Sequence, residues 1–250
     1  MTELAVITGA GTGIGRSVAE VLASRGLHVA LVGRTRATLD QVADSITTAG
    51  GAAEVIVADV GVATDVDRVV AAIGDRPVAA IVHSAGNHIP KPFTDTTRED
   101  FTRQMEVNLT GPFFLTQGLV PVLTDGAGVV FVSSITAERA RSLHAAYAAS
   151  KAGLLALTKH LAAELAPTVR VNCVSPGATA TAMLQAYVDA ATSGLDDKQQ
   201  RESRIIDRSR ILLRRIATPD EVASTVAHLA LDATAVTGVD IAVDIGYKAS

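Results

Sequence analysis

Short runs of apolar, β-branched residues alternate along this chain with longer segments in which apolar positions recur every three or four residues. The runs Leu4–Thr8, Val29–Val32, Glu54–Val57, Ala79–Val82, Val129–Val132, Arg170–Val174 and Ile241–Asp244 are mostly continuous, the pattern of strands covered on both faces. Helical spacing over Ile14–Arg25, Arg36–Ala49, Asp65–Ile73 and Ala145–Ala166 predicts helices between them. Strand, helix, strand in succession implies right-handed crossovers, and so a doubly wound parallel sheet of seven strands with helices on both faces. There is no internal repeat and no Pro/Ser-rich linker, so residues 1–250 are expected to form a single α/β domain. The texture changes only over Ala182–Arg215, helical in pattern and rich in charge. Residues 182–213 are expected to form a mobile lid, with Met183, Leu184, Tyr187, Ile205, Ile206 and Ile211 among its apolar surface and Ser193-Gly194 as a break.

Composition narrows the function. The 250 residues are 48% apolar and only 3% aromatic, and 22 basic against 26 acidic side chains leave a net charge of −4. That balance lacks the electrostatic footprint and stacking platform of a nucleic-acid binder. No apolar run reaches the ~18 residues of a membrane span, and the first strand begins too early for a signal peptide, so a cytoplasmic protein is expected. Cys173 is the one cysteine, which excludes an intrachain disulfide; in an apolar strand it is expected to be a buried thiol. The six histidines are scattered without metal-ligand spacing, and no catalytic metal is expected. The basic residues between Lys198 and Arg215 interleave with acids and read as a solvated face.

The candidate chemistry starts where the first strand runs into Thr8-Gly9-Ala10-Gly11-Thr12-Gly13-Ile14-Gly15 and a helix begins. Glycines there permit a tight turn and close approach of backbone to a pyrophosphate, which the helix N-terminus attracts. The strict G-x-G-x-x-G spacing is broken by Ile14, and no Lys-Ser/Thr pair follows, which argues against a P-loop. A dinucleotide site selective for NAD carries a carboxylate about 20 residues beyond the turn. Here that place is Gly33, followed by Arg34, Thr35 and Arg36, so NADP(H) is expected over NAD(H), with Arg34 on the 2′-phosphate. Tyr147 and Lys151 stand four apart on one helical face, and an ammonium so placed is expected to lower the phenol's pKa. Ser134 closes the fifth strand, at the edge where such sheets bind ligands, and its hydroxyl could hold a carbonyl oxygen while Tyr147 protonates it.

The spacing Thr8-Gly9-x-x-x-Gly13-x-Gly15 resembles the short-chain dehydrogenase/reductase family, in its classical subgroup, and the resemblance spans nearly the whole chain. Asn108, Ser134, Tyr147 and Lys151 resemble its catalytic tetrad in order and spacing. The resemblance implies a Rossmann-like fold and a cofactor cradle of Gly9, Thr12, Gly13, Ile14 and Gly15. It implies adenine contacts at Asp59-Val60, a Ser84-Ala85-Gly86 segment where Asn-Ala-Gly is usual, and nicotinamide and phosphate contacts at Pro176, Gly177, Thr179 and Thr181. It further implies that Lys151 holds the nicotinamide ribose, that Asn108 supports a proton-relay water, and that a homotetramer packs through the small apolar helix Ala152–Ala166. Ser84 and Ile245, each where the family has a different residue, depart from the pattern. The expected function is NADP-dependent interconversion of a ketone and a secondary alcohol on a small molecule. The alternatives are a 3-oxoacyl-[acyl carrier protein] reductase, an NAD-dependent sugar or alcohol dehydrogenase, and a catalytically silent dinucleotide sensor. A carrier protein's acidic surface would need a basic patch, yet no Lys or Arg occurs from Gln104 to Glu138.

Overall fold

The computed structural model describes residues 3–191 and 211–249. Strands β1 (Leu4–Thr8), β2 (His28–Gly33), β3 (Ala52–Val57), β4 (Val78–His83), β5 (Leu123–Val132), β6 (Val169–Pro176) and β7 (Asp240–Val243) form one parallel sheet in the order β3-β2-β1-β4-β5-β6-β7. Helices α1 (Gly13–Ser24), α2 (Arg36–Thr48), α3 (Ala63–Ile73), α4 (Arg98–Met105), α5 (Gly111–Leu119), α6 (Ala145–Leu165), α7 (Ala182–Ala191) and α8 (Pro219–Ala227) flank it. This is a Rossmann-like single domain. Among the described residues no helix is long and apolar enough to cross a membrane.

Period-2 alternation sorts the strand side chains into two cores. Ala5, Ile7, Val29 and Leu31 pack with Val18 and Leu22 of α1, Leu39 and Val42 of α2, and Val222 and Val226 of α8. Leu4, Val6, Ala30 and Val32 point the other way, against Val66 and Val69 of α3, Leu115 and Leu119 of α5, and Leu154 of α6. Every residue of β1, β4 and β6 is buried, which is why β1 and β4 read as apolar runs up to Thr8 and His83, whereas β6 also buries Arg170, Asn172 and Ser175. Each fully buried Leu or Val side chain contributes roughly 1.5–3 kcal/mol. The two halves of the sheet diverge between β1 and β4, and the loops that leave these strands border a crevice at that switch point.

Three local findings differ from the apolar pattern. β5 starts at Leu123, not Val129: Thr124, Asp125 and Gly126 carry no apolar signal, but the Gly126 N–H bonds the Thr168 carbonyl and Leu123 pairs with Val78. Ser134 lies beyond the end of β5 and caps a short 3-10 turn, Ile135–Ala137, accepting the Thr136 N–H at 3.2 Å. Ile245 occupies the left-handed region, φ 54°, where a glycine would sit without strain, and its side chain is buried with Ile135, Ile211, Ala217 and Tyr247. Of the expected lid, α7 and residues 211–213 are described, while Ser193-Gly194, Ile205 and Ile206 lie outside the described residues.

The last helix is joined to the sheet through a buried cation. α8 begins with a capping box, Thr218 with Glu221, and Pro219 at its first position. It ends in a π-helical turn, His228–Asp232, in which the Ala233 N–H takes the His228 carbonyl at 2.9 Å and carbonyls further along face the sheet. Arg170 of β6 joins this turn to β5: Nη1 donates to Leu229 O at 2.5 Å and to Ala233 O, just past the turn, at 3.2 Å, and Nη2 to Ala230 O at 2.7 Å and to Gly126 O of β5 at 3.4 Å.

Candidate active site

The glycine turn is built for close approach. Gly9 sits at φ 67°, and a Cβ on it would lie 2.7 Å from the Ala85 nitrogen; a Cβ on Gly15 would lie 2.2 Å from the Gly9 carbonyl oxygen. The Ala85 N–H also donates to the Thr8 hydroxyl at 3.2 Å, which ties the loop after β4 to the turn after β1. Gly13 starts α1 at φ 53°, with Thr181 from the loop after β6 beside it. Thr12 stands at the N-cap without a side-chain cap bond, and α1 carries no acid in its first turn. A cradle without room for a Cβ, at an uncapped helix start, fits a pyrophosphate, and the chain therefore accommodates a nicotinamide dinucleotide. Gly15 does the packing that the third glycine of a G-x-G-x-x-G loop does elsewhere, and it does not line the cleft.

One cleft of about 390 Å³ gathers the remaining candidates except Asn108. Gly9, Thr12, Gly13 and Ile14 line it together with Arg34, Thr35, Asp59, Val60, the Ser84–Gly86 loop, Ser134, Tyr147 and Lys151, and Pro176, Gly177, Thr179 and Thr181. Arg34 follows β2, its Nη1 4.0 Å from Asp59 Oδ2. Burial pushes the Asp59 carboxyl up, but the Gly61 N–H and the Arg103 guanidinium together hold it below its ordinary value. Asn108 lies wholly buried in the π-helical turn Glu106–Thr110 behind the cleft. Its Oδ1 accepts the Asn87 N–H at 2.7 Å, and its Nδ2 donates to Asn87 O at 2.8 Å and Ser150 Oγ at 3.0 Å, so it pins the loop after β4 to α6.

Tyr147 and Lys151 share one face of α6, with Lys151 Nζ 5.8 Å from the Tyr147 ring centroid. The ammonium donates to the Val132 carbonyl at 2.8 Å, and the Lys151 carbonyl accepts the Ser133 hydroxyl at 2.9 Å, which anchors α6 to the end of β5. Burial pushes the Tyr147 phenol up to about 12, while its hydrogen bond with Ser134 acts in the opposite direction. Burial pushes Lys151 down to about 8. The expected lowering of the phenol by Lys151 is thus corrected in direction: the desolvation of the ring outweighs an ammonium turned toward a backbone carbonyl.

The chain is similar to known oxidoreductases along nearly its whole length. The family model described as enoyl-(acyl carrier protein) reductase matches residues 9–248. A short-chain dehydrogenase/reductase of Armillaria gallica is 34% identical, over 98% of this chain and 95% of its own. The chain belongs to the short-chain dehydrogenase/reductase family. A 2,3-dihydro-2,3-dihydroxybenzoate dehydrogenase of Bacillus subtilis is 34% identical over 91% of this short-chain dehydrogenase/reductase and 88% of its own length. The crystal structure of a "putative NAD(P) dependent gluconate 5-dehydrogenase" from Beutenbergia cavernae, with NADP bound at low occupancy, superposes with a TM-score of 0.88 at 33% identity, covering 99% of this chain and 97% of that one. The enzyme is an NAD(P)-dependent oxidoreductase.

Sequence reasoning missed part of the cleft of this dehydrogenase/reductase. His88 and His144, read as scattered, meet with ring centroids 4.5 Å apart. His88 also lies 4.7 Å from the Tyr147 ring and 5.9 Å from Tyr187, and His144 5.3 Å from Tyr187. The signal available was position: His88 follows Gly86 by two residues and His144 precedes Tyr147 by three.

Proposed function

We propose that this enzyme interconverts a ketone and a secondary alcohol on a small molecule, with NADP(H) preferred and Tyr147 as the acid and base. The observation that carries the reading is the convergence of Ser134, Tyr147 and Lys151 in one cleft with a glycine turn that leaves no room for a Cβ. Gly9, Thr12, Gly13, Ile14 and the α1 N-terminus would hold the pyrophosphate, Arg34 and Thr35 the 2′-phosphate, and Asp59 and Val60 the adenine. Ser84–Gly86, Pro176, Gly177, Thr179 and Thr181 would line the nicotinamide half. The nicotinamide supplies or accepts the hydride.

In reduction, Ser134 Oγ donates to the carbonyl oxygen and orients it, and the O–H bond of Tyr147 breaks as its proton passes to that oxygen. With its pKa at about 12, the phenol is protonated at neutral pH, ready to act as the acid. The buried Lys151 ammonium then faces a developing phenolate within its own helix turn, a charge it stabilises more in the transition state than before it. Asn108 acts by position, since its three hydrogen bonds set the loop that carries Ser84–Gly86. A free small molecule is favoured over an acyl group on a carrier protein because no Lys or Arg lies between Gln104 and Glu138 to meet an acidic partner. We propose a homotetramer as the working form, on the exposed Phe113 and Phe114 of α5 and the small residues of α6.

The test follows nicotinamide absorbance with a panel of ketones and alcohols. Tyr147→Phe should lower kcat about 10³-fold, the share a general acid supplies, while cofactor binding stays within a few-fold. Turnover within a few-fold of the parent would defeat the assignment.

A further inference from the structure

The described side chains that line the cleft include three permanent or near-permanent cations and one carboxylate: Arg34, Arg141, Lys151 and Asp59. Arg34 stands beside Asp59 near the end of β2, and Lys151 is bonded to the end of β5 beneath Tyr147. Arg141 has no such place. It precedes α6 and lines the cleft with His88, His144, Tyr147, Met183 and Tyr187, and no carboxylate among the described residues forms an ion pair with it. Its Cζ stands 5.4 Å from the Tyr187 ring centroid, close enough for a cation–π contact, which leaves the N–H groups at the guanidinium edge available to a bidentate acceptor.

The neighbouring rings define what approaches it. His88, His144, Tyr147 and Tyr187 pack against one another at centroid distances from 4.5 to 6.2 Å, a wall that runs from the proposed acid to Arg141. Burial lowers both imidazoles, His88 to about 4, and the Arg141 charge pushes in the same direction. The histidines are therefore neutral near pH 7, and Arg141 is the one fixed charge on this wall among the described residues beyond Lys151.

We propose that Arg141 is the specificity-determining residue and that the substrate is a short oxo- or hydroxycarboxylate. Its carbonyl or hydroxyl carbon sits at Tyr147, its body lies along the imidazole and phenol rings, and its carboxylate takes the guanidinium fork. A single cation flanked by neutral rings matches a monoanion, not a phosphate dianion, which would require further donors. This inference rests on the carbonyl–alcohol reading of the same cleft.

The experiment pairs 3-oxobutanoate with its neutral ethyl ester, with NADPH, for the parent, Arg141→Gln and Arg141→Lys. A lost charge-assisted pair lowers kcat/KM for the acid by about 10- to 100-fold. The loss should appear in KM with kcat little changed, the ester should stay within about threefold, and Arg141→Lys should recover part of it. Calorimetric titration of the NADP-loaded protein with 3-oxobutanoate reports the same contact without turnover: the parent binds and Arg141→Gln does not. A parent that prefers the ester, binds the acid no better than Arg141→Gln does, or loses both substrates alike on substitution overturns the inference. Failure of the carbonyl–alcohol reading is distinct, since it appears as no turnover across the whole ketone and alcohol panel.

Discussion

Arg34→Ala tests the cofactor preference most directly. Gly33 offers no carboxylate to the ribose hydroxyls, and Arg34 is the first side chain beyond β2, 70% exposed and lining the cleft. Its nearest acid, Asp59, is already engaged by Arg103 and the Gly61 N–H, and lies 4.0 Å away, too far for a tight pair. The guanidinium can therefore turn to a 2′-phosphate without breaking a strong contact. A hydrogen bond to a charged group contributes about 1.5–3 kcal/mol, and solvent screening at so exposed a site brings a two-pronged fork to about 2 kcal/mol in all. That corresponds to roughly 30-fold in kcat/KM with NADPH, while NADH, which lacks the phosphate, should change by less than about threefold. Both cofactors are to be measured at one salt concentration, and the NADPH effect should shrink as salt rises. A parent that uses NADH as well as NADPH, or an Arg34→Ala variant that loses both equally, would refute the reasoning.

Two further outcomes concern the fold around the site. His83, stacked on Phe131 at 5.0 Å, is pushed down to about 3, first by burial and then by the Lys151 charge. The unfolded chain takes up that proton near pH 6.5 and the folded one only near 3, so stability is full above pH 6.5 and falls below it, by about 1.4 kcal/mol per unit. Urea unfolding of His83→Asn should therefore lose about 2.5 kcal/mol less than the parent between pH 7 and 4.5, and parallel profiles would contradict it. Light scattering at micromolar concentration should give four times the 25.7 kDa chain mass, and a monomer would rule out the tetramer.

The strands were legible because burial on both faces keeps most positions of β1 and β4 apolar, and in β6 Val169, Val171, Cys173 and Val174 still mark the run around the buried Arg170, Asn172 and Ser175. The glycine turn and the pair Tyr147 and Lys151 were legible because local geometry limits which residues serve: a Cβ cannot enter at Gly9 or Gly15, and a spacing of four places side chains on one face. What spacing does not encode is where a long side chain ends. Lys151 Nζ turns to the Val132 carbonyl, so its effect on the phenol could not be read from proximity along α6. Asn108 was legible by residue type, but its burial in a π-helical turn was not, since that turn has no apolar period of its own. His88 and His144 are 56 positions apart in the chain and meet only because β4 and α6 deliver them to one crevice.

The clasp of Arg170 on the turn after α8 depends on residues made late in synthesis. Six of the seven strands leave the ribosome before Leu229, Ala230 and Ala233 exist, and until then this guanidinium has three of its four carbonyl partners still to be made. A cation buried without partners costs several kcal/mol, so a chain truncated before Leu229 should lose stability at the β5–β6 edge, and urea unfolding at parent-like stability would contradict this. Closure of the sheet at β6 is thereby tied to a turn 59 to 63 residues further along the chain.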